Sequence, residues 1–299
     1  MFCSFSQAQK QNLTEAEMNF EIAAGSVAGR DHRKLGKNSH DAFATHQDEH
    51  KIITVVCDGC GSSNSSEVGA KIGSKLIVHT IKELLEKTSL IDSPEIFLER
   101  VRQDALAQIR IIANRMGDDL ERTILDHFLF TIIGAIVTDK KTIIFSIGDG
   151  VYVQNGEIVH LEPLKGNAPP YLAYEIIKQS IRSDMLNMLR FKLNCEIATS
   201  DLESYLLGTD GINDLISASL ENIPGKDEQV DSLDQFWSWD RYFMNRDMVR
   251  RRLTLIGRDH VTLNHEKSAL IKSAGHLADD TTLVVVRRRK EGDRNAGLS

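Results

Sequence analysis

Short strand-like runs rich in β-branched residues constrain the fold of this 299-residue chain most strongly. Several runs are separated by only a few residues, and the connectors TDKK (138–141) and Asn155-Gly156 are typical of hairpin turns. The stretch from about 130 to 161 is therefore predicted to form an antiparallel meander. The predicted strands are KIITVVC (51–57), FTIIGAIVT (130–138), TIIFSIG (142–148), VYVQ (151–154), EIVHL (157–161), YLLGT (205–209) and TTLVVVRR (281–288).

Two longer segments between the first of these strands and the meander have apolar side chains at the three- and four-residue spacing of amphipathic helices. One extends from Val68 to Leu85 and the other from Phe97 to Ile112. The first is predicted to begin at a cap formed by Asn64 with Glu67, or by a neighbouring serine. Consecutive helices laid against consecutive antiparallel strands indicate an α+β protein rather than alternating βαβ units.

The charge balance and the cysteine content exclude several classes of protein. There are 36 Lys and Arg against 43 Asp and Glu, a net charge of -7, which argues against a general binder of nucleic acid or of anionic membranes. Four cysteines in so long a chain do not form a disulfide framework, and the N-terminal residues lack the apolar run of a signal peptide. We therefore expect a cytoplasmic protein without a membrane span.

The stretch VVCDGCGSS (55–63) contains two overlapping patterns. Cys57 and Cys60 form a C-x-x-C pair, which is found in redox couples and in zinc sites. A structural zinc site needs further soft ligands, and the sequence has no second pair of this kind. The carboxylate of Asp58 is expected to raise the pKa of a neighbouring thiol, which disfavours a reactive cysteine. Cys57 ends an apolar run and is predicted to lie in the core; Cys60 is predicted to be oxidisable if it is exposed.

The second pattern, an aspartate at the tip of an apolar strand, recurs in SIGDGV, LGTDGINDL and LADDTTLVVV. Asp and Gly are common turn residues, so a single occurrence carries little information. Four occurrences at strand ends suggest that several carboxylates converge on one cleft. Such carboxylates repel one another unless cations lie between them, and hard divalent ions prefer oxygen ligands. The aspartates concerned are Asp58, Asp149, Asp210, Asp279 and Asp280.

Read in order, KNSHDAF, VVCDGCGSS, FSIGDGVYV, YLLGTDGINDLI and ADDTTLVVV resemble the successive motifs of the metal-dependent protein serine/threonine phosphatases of type 2C, the PPM family. The stretch GSVAGRDHRKLGKNSHDAF is similar to a bacterial branch of that family, in which a G-x-x-H sequence precedes the first acidic motif. The resemblance implies a four-layer α-β-β-α sandwich, with two antiparallel sheets flanked by helices. It also implies a centre of two Mg or Mn ions.

The resemblance implies a role for each matching residue. Asp58 would bridge two ions, and the carbonyl of Gly59 would bind one of them. Asp210 and Asp279 would hold the other ion, and Asp149 occupies the place of a third ion in bacterial members. A water between the ions would attack phosphorus directly. Catalytic residues would be Asp58 together with two aspartates that orient waters and ligands, Asp41 and Asp280.

The chain departs from the family pattern at three places. His40 stands where the family has a metal-binding Glu, or Gln in some bacterial members; a histidine ligand removes a negative charge and favours softer metals. Gly36 stands where a phosphate-binding arginine is expected. Arg33, Arg30 or His32 would replace it, with Arg33 ranked first. The motif GDG replaces GDS followed by arginine, which leaves the metal-binding positions unchanged.

These features predict a phosphatase that removes phosphate from serine or threonine of a protein partner, such as a cognate serine/threonine kinase or its substrate. A pseudophosphatase that binds phosphoproteins without turnover is the alternative. We expect an N-terminal extension (1–21), a phosphatase-like domain (22–288) and a polar C-terminal tail (289–299). Insertions at about 163–193 and 217–265 are expected to influence substrate choice.

Overall fold

The computed structural model describes residues 18–87, 93–162, 169–180, 188–264 and 268–289. The strands are β1 (Phe20–Val27), β2 (Ala42–Gln47), β3 (Lys51–Cys57), β4 (Ile132–Thr138), β5 (Lys141–Ile147), β6 (Gly150–Gln154), β7 (Glu157–Leu161), β8 (Lys192–Ala198), β9 (Ser204–Gly208), β10 (His260–Asn264), β11 (Ala269–Ser273) and β12 (Thr281–Arg288). The α-helices are α1 (Arg30–Lys34), α2 (Ser66–Leu85), α3 (Pro94–Met116), α4 (Leu120–His127), α5 (Ile212–Ser217), α6 (Gln235–Ser238), α7 (Arg241–Met244) and α8 (Met248–Gly257). Short 3₁₀ segments span Leu172–Ser180 and Thr199–Asp201.

Two five-stranded antiparallel sheets form the centre of the molecule. Sheet A has the strand order β1-β12-β9-β6-β7, and sheet B has the order β2-β3-β4-β5-β8. Strands β10 and β11 form a separate antiparallel pair. Helices cover the outer face of each sheet, so the predicted α+β sandwich of four layers is confirmed.

The buried apolar side chains form three layers, as expected for two sheets packed face to face between helices. The central layer lies between the sheets and includes Val56, Ile144 and Val284. A second layer lies between sheet B and helices α2, α3 and α4, and a third lies between sheet A and the helices from α5 to α8. Both sheets are therefore buried on both faces over most of their area.

Helices α2 and α3 follow the predicted apolar periodicity, and each buries one face against its neighbours. The N-cap residue of α2 is Ser65, which agrees with the predicted alternative of a serine next to Asn64, but Ser65 makes no side-chain capping bond. Asn64 instead donates from Nδ2 to Asp126 Oδ1 at 2.7 Å, because the end of α4 lies beside the start of α2.

Both predicted hairpin turns are present, but the single meander is wrong. Strands β4 and β5 pair in sheet B, whereas β6 and β7 pair in sheet A. The chain crosses between the sheets at Gly148-Asp149-Gly150, where the two glycines have φ of 95° and 133°. Such backbone angles are strained for residues with a Cβ, so the GDG sequence permits the crossing.

Within the predicted insertion 217–265, residues 218–256 contribute to a layer that packs on sheet A. Val230, Phe236, Tyr242 and Leu253 are buried in its core. The buried guanidinium of Arg252 donates to the carbonyl of Val230 at 3.0 Å. In the other predicted insertion, Leu172–Ser180 packs against α3 and α4, while 163–168 and 181–187 lie outside the described residues.

At the termini, Phe20 and Glu21 belong to β1, whereas residues 1–17 and 290–299 lie outside the described part. The domain boundaries therefore stay a prediction. Within the described ranges, the helices are too short or too polar to cross a lipid bilayer.

Candidate active site

Strand register brings the predicted aspartates to one end of the sandwich. In sheet B, Ala42 pairs with Cys57, and Ile132 pairs with Ile147. Asp41, Asp58 and Asp149, which adjoin these strand ends, are therefore neighbours. In sheet A, Gly208 pairs with both Val151 and Leu283, which places Asp210 and Asp279 at the same end. Both sheets contribute carboxylates, and Asp149 lies at the crossing between them.

The carboxylates line a cleft of about 230 Å³. Its walls include the aspartates, two histidines of the stretch GSVAGRDHRKLGKNSHDAF (25–43), and residues from the D-G-x-G turn and from the predicted insertion. The lining residues are His32, His40, Asp58, Gly59, Cys60, Gly61, Thr131, Asp149, Pro169, Tyr171, Asp210, Asp279 and Asp280.

Backbone contacts fix the D-G-x-G turn at the floor of the cleft. The carbonyl of Asp58 accepts the Thr131 N–H at 2.8 Å, and the Cys60 N–H donates to Leu129 O at 2.9 Å. At Gly59, a Cβ would lie 2.8 Å from the carbonyl oxygen of His40 and from Ser66 Oγ. Only glycine therefore allows the turn to pack against the start of α2.

Burial and mutual repulsion raise the pKa values of the clustered carboxyls. The pKa of Asp58 lies well above its ordinary value because the group is buried and because Asp41, Asp210 and Asp279 are close. Burial, with Asp279 and Asp149, raises the pKa of Asp210 to about 6, although a hydrogen bond with Asp58 opposes the shift. These carboxyls cannot all ionise without compensating positive charge.

Asp41 is buried, with 3% of its surface exposed. Its Oδ2 accepts the Thr209 hydroxyl at 2.7 Å, while its Oδ1 is buried without a hydrogen-bond partner among the described residues. Burial raises the pKa of Asp41, and Asp280 and Asp210 raise it further. An unpaired buried carboxylate oxygen is costly, so this atom indicates a missing positive partner.

The oxygens of Asp280 contact the stretch GSVAGRDHRKLGKNSHDAF (25–43). Its Oδ1 accepts the Gly29 N–H at 2.6 Å, and its Oδ2 accepts the His40 N–H at 2.5 Å and lies 2.8 Å from His32 Nδ1. Asp280 therefore connects β12 to the beginning of the domain.

The ring of His40 is turned toward helix α2. Its Nδ1 lies 3.1 Å from Ser66 Oγ, and its Nε2 lies 3.9 Å from Glu67 Oε2. Burial and the nearby His32 lower the pKa of His40. His40 lines the cleft, but both of its ring nitrogens face α2, and its role as a metal ligand stays a prediction.

Arg33 and Arg30, two of the expected phosphate-binding residues, lie outside the lining of the cleft. The guanidinium of Arg33 donates to the carbonyls of Ala28 and Gly257, and Arg30 donates to Gly275 O at 3.1 Å. Both side chains fasten α1 to the segment around Gly257 and Gly275. Of the three expected residues, the structure brings only His32 to the cleft.

We expect Arg33→Met to lower the free energy of unfolding by about 1 kcal/mol, because two carbonyls lose a charged donor. Urea denaturation checks this, and the adjacent Lys34→Met is the matched control, because the ion pair between Lys34 and Asp31 is largely exposed. A large rise in KM for a phosphopeptide with unchanged stability would instead restore Arg33 as a phosphate-binding residue.

The cysteines of the C-x-x-C pair have different environments. Cys57 is fully buried in the core, and burial raises the pKa of its thiol. Cys60 is partly buried and lines the cleft; burial raises the pKa of its thiol, but hydrogen bonds from Ser62 and Tyr171 lower it overall. The expected upward shift is thus correct for Cys57 and wrong for Cys60, because the hydroxyl donors near Cys60 were not foreseen.

The donor chemistry of the cleft fits a hard divalent cation better than zinc. The converging donors are carboxylate oxygens, and the unpaired Asp41 Oδ1 lies among them. In the described ranges, however, no group of three or more His, Cys, Asp or Glu side chains is arranged so that it could hold an ion. The ligand assignment of His40, Asp58, Gly59, Asp149, Asp210 and Asp279 therefore stays a prediction.

Two residues that support the cleft were not singled out in the sequence. Asp214 Oδ2 accepts the backbone N–H groups of Ala278 at 2.7 Å and Asp279 at 3.3 Å, and so positions the loop before β12. Asp214 could have been noticed in the sequence, because it lies four residues after Asp210 in the first turn of a helix. Tyr171 could not, because it belongs to a distant segment that precedes Leu172–Ser180.

Comparisons with known proteins agree with this architecture. The family model described as protein phosphatase 2C matches residues 28–241. Among solved structures, a bacterial serine phosphatase bearing an arginine-to-lysine substitution superposes with a TM-score of 0.52 at 14% identity, covering 91% of this chain and 99% of that one. A Caenorhabditis elegans sex determining protein gives 0.51 at 12% identity, covering 92% and 66%.

The serine/threonine phosphatase Stp1 from Staphylococcus aureus gives a TM-score of 0.49 at 15% identity, covering 91% of this chain and 96% of that one. No curated protein sequence matches the chain significantly. At these identities the structural matches establish the fold alone. The family model spans more than two thirds of the sequence, and the chain belongs to the protein phosphatase 2C family.

Proposed function

We propose that this protein is a Mg²⁺- or Mn²⁺-dependent phosphatase that hydrolyses phosphoserine and phosphothreonine in a protein partner. The observation that carries the proposal is the convergence of carboxylates from both sheets on one cleft of a protein phosphatase 2C domain. When bound, two divalent ions would supply an activated water and neutralise charge on the phosphoryl group.

Each aspartate has a distinct part in this proposal. Asp58, with the Gly59 carbonyl, would hold the ions from the side of sheet B, and Asp210 and Asp279 would hold them from the side of sheet A. Asp149 would hold a third ion at the crossing between the sheets. Asp41 would support the ions through its unpaired Oδ1, and Thr209 fixes its other oxygen at 2.7 Å.

The partner is a phosphorylated protein, and a cognate serine/threonine kinase or its substrate is the class that we propose. The cleft has little positive charge of its own, because its lining includes no lysine or arginine within the described residues. Bound cations would therefore provide most of the attraction for phosphate. Binding of substrate is expected to depend on prior binding of metal.

The test measures phosphate release from a phosphothreonine peptide and from p-nitrophenyl phosphate, with the protein first treated with EDTA and then supplied with Mn²⁺ or Mg²⁺. We expect turnover with either substrate only when a divalent ion is present. Absence of turnover with every divalent ion, together with tight binding of the phosphopeptide, would contradict the proposal and indicate a pseudophosphatase.

A further inference from the structure

We propose that a second pocket beside the cleft, called the side pocket below, binds an acidic residue of the substrate a few positions from the phosphoserine or phosphothreonine; this inference rests on the proposed phosphatase function. The side pocket has a volume of about 400 Å³. Its lining includes Gly148 and Pro170, whereas Asp149 and Pro169 line the cleft. Consecutive Cα atoms lie about 3.8 Å apart, so the two pockets adjoin at both places.

The side pocket lies at the same end of the sandwich as the carboxylates. The end of β5 contributes Ser146 and Ile147, the end of β7 contributes Leu161, and the start of β8 contributes Lys192. Strands β7 and β8 are edge strands of sheets A and B, so the pocket opens at the margin of the sandwich. An extended chain advances about 3.3 Å per residue, so a residue two to four positions from the phosphorylated one would reach the side pocket.

The side pocket has the positive charge that the cleft lacks. Arg190 and Lys192 line it, and Glu162 is the acidic residue of its described lining. Lys192 is exposed and makes no ion pair with the residues that the structure describes. In the proposed reaction, metal ions in the cleft take the phosphate. A carboxylate of the same peptide would be attracted to the cations of the side pocket.

The guanidinium of Arg190 is not fixed by its acidic neighbour. Its Nη1 lies 3.5 Å from Glu99 Oε2, and its side chain is 69% exposed. Glu99 is bound more closely by Arg102, which donates from Nε at 2.8 Å and from Nη2 at 2.7 Å. An exposed ion pair of this kind contributes little free energy. Arg190 can therefore turn from Glu99 to a carboxylate of the substrate at little cost.

Apolar side chains form much of the remaining wall of the side pocket. Phe191 lies between the two cations in the sequence, and its ring packs edge-on against Phe145 with the centroids 5.0 Å apart. Ile147 is buried, whereas Met188 is 46% exposed. Apolar walls lower the local dielectric constant and so strengthen attraction between opposite charges. The lining therefore fits a glutamate side chain, which has an apolar stem and a charged end.

The test compares matched phosphothreonine peptides of otherwise neutral sequence. Glutamate or glutamine is placed, one position at a time, about two to four residues before or after the phosphothreonine. We expect kcat/KM for at least one glutamate peptide to exceed that of its glutamine partner by about fivefold, the scale of two partly exposed ion pairs. High salt should reduce this ratio, because dissolved ions screen exposed charges.

The double variant Arg190→Gln with Lys192→Gln should remove the preference and leave the rates for the glutamine peptide and for p-nitrophenyl phosphate unchanged. The charge reversal Lys192→Glu should transfer the preference to a peptide with lysine at the selected position. Lys140→Gln is the matched control, because it makes the same change in the exposed turn between β4 and β5, at the opposite end of β5. It should keep the wild-type preference.

Equal kcat/KM for every glutamate and glutamine pair in the wild-type protein would overturn the inference and leave the proposed function intact. A preference that survives in the double variant would also overturn it, because the acidic residue would then bind elsewhere. So would a double variant that loses as much activity on p-nitrophenyl phosphate as on the peptides. Absence of turnover with every substrate in the wild-type protein would instead contradict the proposed function.

Discussion

Asp58→Asn is expected to abolish metal-dependent turnover while making the metal-free protein more stable. Loss of the carboxylate proposed to hold both ions should lower kcat by about 1000-fold or more. The same change removes a buried charge that Asp41, Asp210 and Asp279 repel. In EDTA at about pH 8, the free energy of unfolding should therefore rise rather than fall.

The opposite signs of these two effects distinguish a metal-binding role from a structural one. Rates with Mn²⁺, isothermal titration with Mn²⁺ and urea denaturation in EDTA are the measurements. Asp139→Asn, the same chemical change in the exposed turn between β4 and β5, is the control and should alter none of them. Retention of Mn²⁺ affinity by Asp58→Asn would exclude Asp58 from the metal site.

The second large effect is a loss of stability of the metal-free protein as pH rises. The folded-state pKa of Asp210 is raised to about 6, and those of Asp41 and Asp58 are also raised. A carboxyl with a raised folded-state pKa contributes its stability fully below the unfolded value, near 4, and loses it as pH rises through the folded value. From about pH 5 to pH 8, Asp210 alone should cost roughly 1.4 kcal/mol.

Divalent ions should reverse this loss, because they bind the ionised carboxylates of the folded protein only. Urea denaturation at about pH 5 and pH 8, in EDTA and then in Mn²⁺, checks the prediction. We expect Mn²⁺ to raise the free energy of unfolding much more at the higher pH. A metal-free protein whose stability increases over this range would contradict the clustering of the carboxyls.

Local sequence patterns predicted much of the fold because the central strands are buried on both faces. Strands β3, β4, β5 and β12 are dense in β-branched residues, and their positions were predicted to within two residues. Edge strands β1 and β2 were missed, since they alternate buried with partly exposed residues and include Ala, Gly and Gln. Assignment of β6 and β7 to the other sheet depended on the glycines beside Asp149, which were interpreted only as turn residues.

In the candidate site, too, some positions could be predicted from the sequence and others could not. Aspartates at strand tips were predictable, because a strand end fixes where its flanking residue lies. The contacts of Arg33 were not predictable, because its carbonyl partner at Gly257 is 224 residues away in sequence. The orientation of His40 toward Ser66 and Glu67 was not predictable either, because it depends on how β2 packs against α2.

The crossing at Gly148-Asp149-Gly150 joins one sheet directly to the other at the rim where the carboxylates meet. Ions bound there would link the two sheets, which are not hydrogen-bonded to each other through the strands that the structure describes. The spacing of the two sheets is set by the apolar side chains between them, including Val56 and Val284. The affinity for the cations should therefore depend on the distance between the two sheets. Small changes in the volume of side chains between the sheets, far from the cleft, should lower that affinity.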